Sequence, residues 1–361
     1  MGKRLGKQTI SFSSPAKIIG NYSIVGEKEG NGTFGRYYDY ILKNDTFGEK
    51  TYEAAERKLI EFAISNALDK AGVKSRDLDL LICGDLLNQI ISSSFAARDF
   101  DLTFLGLYGA CSTMAEALAV GSAFIDGGYF DTVACATGSH FSTVERQYRF
   151  PLELGNQRPP VSQWTVTGAG CTILSNKHGK KEIINATFGK VTDFGINDVN
   201  NMGAAMAPAA MSTLIRHFED TKTTPEDYDL IVTGDLGKLG SEILLDLMEN
   251  KGYKLKDNYN DCGQMIFSND QKVYQGGSGC GCSAVVLNSY IMQKMDEKKY
   301  KKVLFAATGA LLSTLSSQQG NSIPGICHAV EIRRIDWYGT YVFKGFFSRW
   351  IYLFYRTVTH Y

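Results

Sequence analysis

The alternation of apolar and polar positions predicts strands and helices in regular succession. Residues 51–72 (TYEAAERKLIEFAISNALDKAG) carry apolar side chains at helical spacing and close on Gly72, a residue suited to a helix C-cap. LDLLICG (78–84), apolar without a break from Leu80, reads as a continuous buried strand of the kind covered on both faces. TMAEALAVGSAFIDGG (113–128) reads as a helix and DTVACAT (131–137) as a strand. VTGAGCTILSN (166–176) is a further strand, with KKEIINATFGKVTDFG (180–195) as its extended hairpin partner. A second series follows: helix 204–220, strand DLIVTG (229–234), helix SEILLDLMENKG (241–252), a further helix, strand KVLFAATG (302–309) and final strand GICHAVEI (325–332).

The two series are copies. SRDLDLLICGDLL (75–87) aligns with PEDYDLIVTGDLG (225–237), so that Asp85 matches Asp235 at an offset of 150. Farther on, Cys111-Ser112 matches Cys282-Ser283, and Thr137-Gly138 matches Thr308-Gly309, both at an offset of 171. The difference of 21 places an insertion in the second copy, between about 249 and 280. A duplicated α/β unit is expected, with halves at 1–185 and 186–334, and two β-α-β halves back to back predict five layers, α/β/α/β/α.

Composition narrows the function classes. The 361 residues hold 38 basic and 38 acidic side chains and 44% apolar residues, which excludes a disordered chain, a collagen-like repeat and a coiled coil. Zero formal net charge argues against nucleic acid as a partner. No uncharged apolar run reaches the roughly 18 residues of a membrane span, and the polar N-terminus lacks a signal-peptide core, so a soluble chain without a transmembrane helix is expected. The eight cysteines form no CxxC pair; most lie inside apolar strands, and no metal site is expected.

Residues 335–361 break the pattern. Two of the three tryptophans fall there among Tyr, Phe and Arg, and Asp336 is the sole acid. Three readings stand: a plain extension, a segment lying on a membrane surface, and the product of a frameshift into a downstream gene.

The candidate chemistry sits at a helix start. Leu107-Tyr108-Gly109-Ala110 leads into Cys111, where oriented backbone N–H groups favour a thiolate or a bound anion. On this cysteine and the two β-α-β halves the chain resembles the thiolase superfamily. The motifs CGDLLNQ, LYGACSTMAEAL, ATGSHFSTVERQYRFPLELGNQRPP, QWTVTGAG, IVTGDLGKLG, DCGQMIF, GGSGCGCSA and NSIPGICHAV are similar to one family within it, stage V sporulation protein AD, over residues 1 to about 332. The resemblance implies a thiolase-like duplicated fold. It also implies a protein of the sporulating cell and spore, peripheral to the inner spore membrane. There it would bind dipicolinic acid (pyridine-2,6-dicarboxylic acid) and support its uptake beside membrane-embedded stage V sporulation subunits. Thiolase-like chains commonly dimerise through the first half, so a homodimer is a further expectation.

The catalytic equipment of a condensing relative is expected to be missing. Such enzymes add a histidine and an asparagine, or a second His or Cys, from the second half. Here the strand DLIVTG runs into Asp235-Leu236, and GGSGCGCSA offers Gly281 or Cys282 instead of Asn. The expectation is therefore no enzyme and no cofactor. The ligand would be dipicolinic acid, free or as its calcium chelate, held by Asp85, Cys111, His140 and Cys262. Arg146 and Arg149, with Arg158 nearby, would offset its charge. Asp85 reads equally as the N-cap of the next helix. An acyltransferase using Cys111 is the alternative, and a scaffold with a relic site the third.

Overall fold

The computed structural model describes residues 2–148 and 157–336. The expectations placed on Arg149 and on the tail from residue 337 onward therefore lie outside the described residues.

The first half contributes β1 (Thr9–Val25), α1 (Tyr52–Ala71), β2 (Leu80–Gly84), α2 (Ile91–Phe100), β3 (Phe104–Gly106), α3 (Thr113–Asp126), β4 (Thr132–Ser139), α4 (Phe141–Tyr148) and β5 (Gly168–Ser175). The second contributes β6 (Lys181–Thr187), α5 (Met202–Thr221), β7 (Leu230–Thr233), α6 (Gly237–Glu249), β8 (Tyr259–Asp261), α7 (Cys262–Ile266), α8 (Cys280–Val286), β9 (Lys302–Ala310) and β10 (Gly325–Arg334). A π-helical turn, Leu287–Ile291, carries α8 into Met292–Asp296. The duplication is explicit in the strand order. The halves run β3-β2-β4-β5-β1 and β8-β7-β9-β10-β6, each with its fifth strand antiparallel to both neighbours. The two edges meet where β1 pairs antiparallel with β6.

This layout corrects one expectation. The stretch from residue 180 is no hairpin partner of β5, because β5 already has β4 on one side and β1 on the other. Instead it forms β6, the first strand of the second half, and the boundary expected between residues 185 and 186 falls inside it. The extra residues of the second copy lie on both sides of β8, with α7 immediately after it.

Five layers follow from which faces are apolar. Leu80 and Ile82 of β2 point to the central cluster, while Leu81 and Cys83 point to the outer one. Val303 and Phe305 alternate in the same way with Leu304 and Ala306 on β9. Both faces are covered, which explains the unbroken apolar runs. α1 covers the first half-sheet, and α5 with α6 the second, while α3 packs between strands of both. α1 is held by Thr51, whose hydroxyl accepts from the Ala54 N–H at 3.2 Å, and by Gly72 at φ 67°. α3 is rich in Ala, Gly and Ser, as a helix between two sheets must be: a Cβ on Gly121 would stand 3.0 Å from the Cys135 sulfur. Among the described residues no helix is long and apolar enough to cross a membrane.

Candidate functional site

Cys111 occupies a 3-10 turn, Ala110–Ser112, that opens α3. Ala110 holds φ 49°, a left-handed conformation unusual for a residue with a side chain. The turn is reached from the second half because residue 309 is glycine: a Cβ there would lie 2.4 Å from the Gly109 carbonyl oxygen. Cys111 thus lines a small cleft of about 30 Å³, between apolar side chains of the first half (Leu86, Val144) and Met202, Ala310 and Leu312 of the second. Tyr108 and Tyr148 form one wall, and Ser278 with Gly279 the other. Among the described residues, no Lys, Arg or His lines it.

Asp235 lies in the turn between β7 and α6 and is fully buried. Its Oδ2 accepts from the Gly279 N–H at 3.0 Å and the Ser278 hydroxyl at 3.2 Å, and its Oδ1 from the Thr308 hydroxyl at 2.9 Å. Ser278 and Gly279 line the cleft together with Cys111, which brings the carboxylate's charge to bear on the thiol. Burial first, and then the Asp235 charge, push the thiol well above its ordinary range, against the Gly279 N–H. Asp235 itself is raised to about 7, chiefly by burial, with the thiol and the other donors opposing. A neutral thiol is a poor nucleophile, so the pair disfavours thiolate chemistry.

Asp261, which sequence reasoning missed, fixes this arrangement. Its Oδ1 accepts from the Gly237 and Gln264 N–H groups at 2.9 and 3.0 Å, and its Oδ2 from the Leu236 N–H at 2.9 Å and the Thr233 hydroxyl at 2.7 Å. It therefore caps α7 and pins the turn carrying Asp235. Burial still raises it to about 6. Its signal was its place immediately before Cys262, at a helix start.

The expected site residues are only partly brought together. Cys111 lines the cleft. Asp85 lies behind it: Oδ1 accepts from the Leu87 N–H at 2.9 Å, and Oδ2 from the Ser93 N–H and hydroxyl at 2.8 and 2.7 Å. It is the anchor of the β2–α2 connection, and burial raises its pKa. His140 is buried away from the cleft with both ring nitrogens engaged. Nδ1 accepts from the Ser142 N–H at 3.1 Å, which leaves Nε2–H to donate to the Asp45 carbonyl at 2.8 Å. Burial lowers its pKa, in keeping with a neutral ring. Cys262 packs in the central core at the start of α7 and does not line the cleft. Arg146 pairs with Glu53 in a separate surface groove, and Arg158 lies over Trp164. Ser278 and Gly279, and not Gly281 or Cys282, reach the cleft; the Cys282 thiol faces the Gly234 carbonyl at 3.6 Å.

Tyr108 and Tyr148 also escaped the sequence reading. Their hydroxyls are 3.0 Å apart, and that of Tyr148 donates to the Leu86 carbonyl at 2.5 Å. Among the described residues, no group of three or more His, Cys, Asp or Glu is arranged to hold a metal ion.

Comparison with known proteins agrees with this architecture. The family described as stage V sporulation protein AD matches residues 6–333. The chain is 44% identical to stage V sporulation protein AD of Bacillus subtilis (strain 168) over 332 residues, 92% of this chain and 98% of that protein. Among solved structures it resembles 3-oxoacyl-[acyl-carrier-protein] synthase III from Aquifex aeolicus VF5 (14% identity, TM-score 0.57, 88% of this chain and 99% of that one). It also resembles OleA from Xanthomonas campestris with bound lauric acid and lauroyl-CoA (12% identity, TM-score 0.57, 88% and 99%). At these identities the structural likeness shows the thiolase-like fold alone.

Proposed function

Because the chain belongs to the stage V sporulation protein AD family, we propose that this sporulation protein binds dipicolinic acid in the Cys111 cleft without transforming it. The reading rests on one observation: the ionisable group that the second half brings up behind the cleft wall of Ser278 and Gly279 is the Asp235 carboxylate, where a condensing enzyme of this fold would use an imidazole. A carboxylate there holds the thiol protonated and repels the oxyanion of a condensation step. What survives is a concave, apolar cleft with two phenol rings, suited to a flat aromatic ligand. The pyridine ring lies among Leu86, Val144 and the tyrosines. One carboxylate turns to the backbone amides of the Cys111 turn. Calcium chelated by the ligand itself supplies the compensating charge. The protein then works at the inner spore membrane beside membrane-embedded stage V sporulation subunits, supporting uptake of the acid, as a monomer or homodimer.

Titration calorimetry with dipicolinic acid, with and without calcium, against a benzoate control tests this. Saturable heat for the diacid and none for benzoate is expected; no heat in either diacid arm overturns it. An acyltransferase remains the second reading because Cys111 follows the strained Ala110 turn, a setting that presents a nucleophile. Mass spectrometry after incubation with acyl-CoA decides: no adduct is expected, and a stoichiometric acyl group on Cys111 replaces the binding reading.

A further inference from the structure

Two cavities meet at one pair of side chains. The inner cleft beside Cys111 and an outer groove of about 360 Å³, which runs along Asn88–Ile90 and Gly106–Leu107, share Tyr108, Tyr148 and Leu312 as walls. The two phenols are not equivalent. Tyr148 has one hydroxyl proton and gives it to the Leu86 carbonyl, so Tyr108 is the donor in the contact between them. Tyr148 is further fixed by its helix, whose Gln147 donates to the Leu86 carbonyl at 2.9 Å and accepts from the Asn88 N–H at 3.1 Å. Tyr108 is 44% exposed, and the hydroxyl contact to Tyr148 is the hydrogen bond its side chain makes among the described residues.

We propose that Tyr108 is the movable partition between groove and cleft, and the residue that recognises the ligand's ring once it is inside. Rotation of one half-exposed side chain about χ1, at the expense of one phenol–phenol hydrogen bond, joins the two cavities. Tyr148 stays as the post. Return of Tyr108 lays its ring beside whatever occupies the cleft, which selects a flat aromatic ligand over an aliphatic diacid of similar length. The wall of the outer groove supports this division of labour. Gln89 and Ile90 hold φ 57° and 48°, a conformation that a β-branched residue keeps only when its surroundings impose it. Asp85 grips both ends of that segment through Leu87 and Ser93, so the carbonyl that holds Tyr148 stays in place while Tyr108 moves. The ring-recognition half of the inference rests on the dipicolinic acid reading; the partition itself does not.

Alkylation of Cys111 by a bulky maleimide, located by peptide mass spectrometry on the full chain, reads the partition without any ligand. Tyr108→Phe keeps the ring and removes the donor. It is expected to raise the rate at Cys111 by about fivefold, the factor that corresponds to the ~1 kcal/mol of one hydrogen bond. Tyr108→Ala raises it further, and Tyr129→Phe, on a remote exposed ring, leaves it unchanged. Equal rates in wild type and both Tyr108 variants overturn the partition, as does a rise shared by all eight cysteines, which reports general loosening. Added dipicolinic acid separates the two proposals. Faster labelling in the variants without protection of wild-type Cys111 by the acid keeps the partition and removes the ligand. Protection with no effect of Tyr108→Phe or Tyr108→Ala does the reverse.

Discussion

Asp235, reached from the second half, acts on the Cys111 thiol of the first: burial and the Asp235 charge hold the thiol neutral, while burial chiefly raises Asp235 and the thiol opposes it. The duplication produces this meeting. Asp235 lies in the turn after the second strand of one copy, and Cys111 in the turn that opens the central helix of the other. If the carboxylate is what disarms the thiol, Asp235→Asn, which keeps an acceptor for Gly279, should lower the thiol pKa. Iodoacetamide labelling of Cys111 at fixed neutral pH is then expected to be several-fold faster. An unchanged rate would assign the disarming to burial alone.

Ligand binding should carry the same signature. Burial raises Asp235 to about 7, so a buried negative charge develops behind the Ser278–Gly279 wall of the cleft as pH rises through that value. An anionic ligand must then bring a proton with it. The Kd for dipicolinic acid is expected to be flat below about pH 6 and to rise above 7, approaching tenfold per pH unit. Asp235→Asn should remove the slope. Calorimetric titrations between pH 6 and 8 in both proteins provide the check.

Stability should fall over a related range. Asp235 at about 7, Asp261 at about 6 and Glu29 at about 8 all stand above the ordinary carboxylate range, in each case chiefly through burial. A carboxyl raised on folding stabilises fully below its unfolded pKa, and that contribution is lost as pH climbs through the folded one. Thermal unfolding should therefore shift to lower temperature from about pH 4 to 8. The Asp235→Asn variant should gain on wild type across the interval 4 to 7, by up to about 4 kcal/mol. A difference in Tm that stays constant with pH would place the charge of Asp235 elsewhere.

Much of this was legible in the sequence, and the misses share a cause. The offsets of 150 and 171 reveal both halves because strands β2 and β7, and β4 and β9, need the same apolar runs to be covered on two faces. Cys111 was legible through its glycine-rich helix start. His140 carried an equally good signal, a histidine at the end of a core strand, yet the Asp45 carbonyl from a distant loop closes its second nitrogen. No local pattern reports that. Asp85 and Asp235 are equivalent in the repeat and unlike in role, because the donors around the first are local, Leu87 and Ser93, and those around the second come from the remote Gly279 and Thr308. Tyr108 and Tyr148 lie 40 residues apart and become a pair only when α4 packs beside the Cys111 turn.

His140 and Arg146 should separate stability from binding. His140→Ala leaves the buried Ser142 N–H without its partner, which costs about 1–3 kcal/mol, and gives up the half-buried bond to the Asp45 carbonyl. Arg146→Ala removes an exposed pair with Glu53, worth under about 1 kcal/mol. Neither side chain lines the cleft, so dipicolinic acid affinity is expected to change less than about twofold in either variant. A tenfold loss at His140 or Arg146 would mean that the ligand reaches beyond the cleft.

Asp85 is the sharper case, because it was expected to touch the ligand and the fold gives its oxygens other work. Its three accepted hydrogen bonds hold the segment from Leu86 to Ser93, and the Leu86 carbonyl holds Tyr148. Asp85→Ala leaves the buried Leu87 and Ser93 N–H groups unpaired and should cost about 2–3 kcal/mol; Asp85→Asn retains one acceptor and should cost about half as much. If the residue acts by positioning, affinity for dipicolinic acid should fall in step with stability, more for alanine than for asparagine, and the pH slope set by Asp235 should persist in both. A direct contact would behave differently: Asp85→Asn, by removing a negative charge beside an anion, would strengthen binding even as the protein became less stable. Unfolding curves and titrations on the same two proteins distinguish these outcomes.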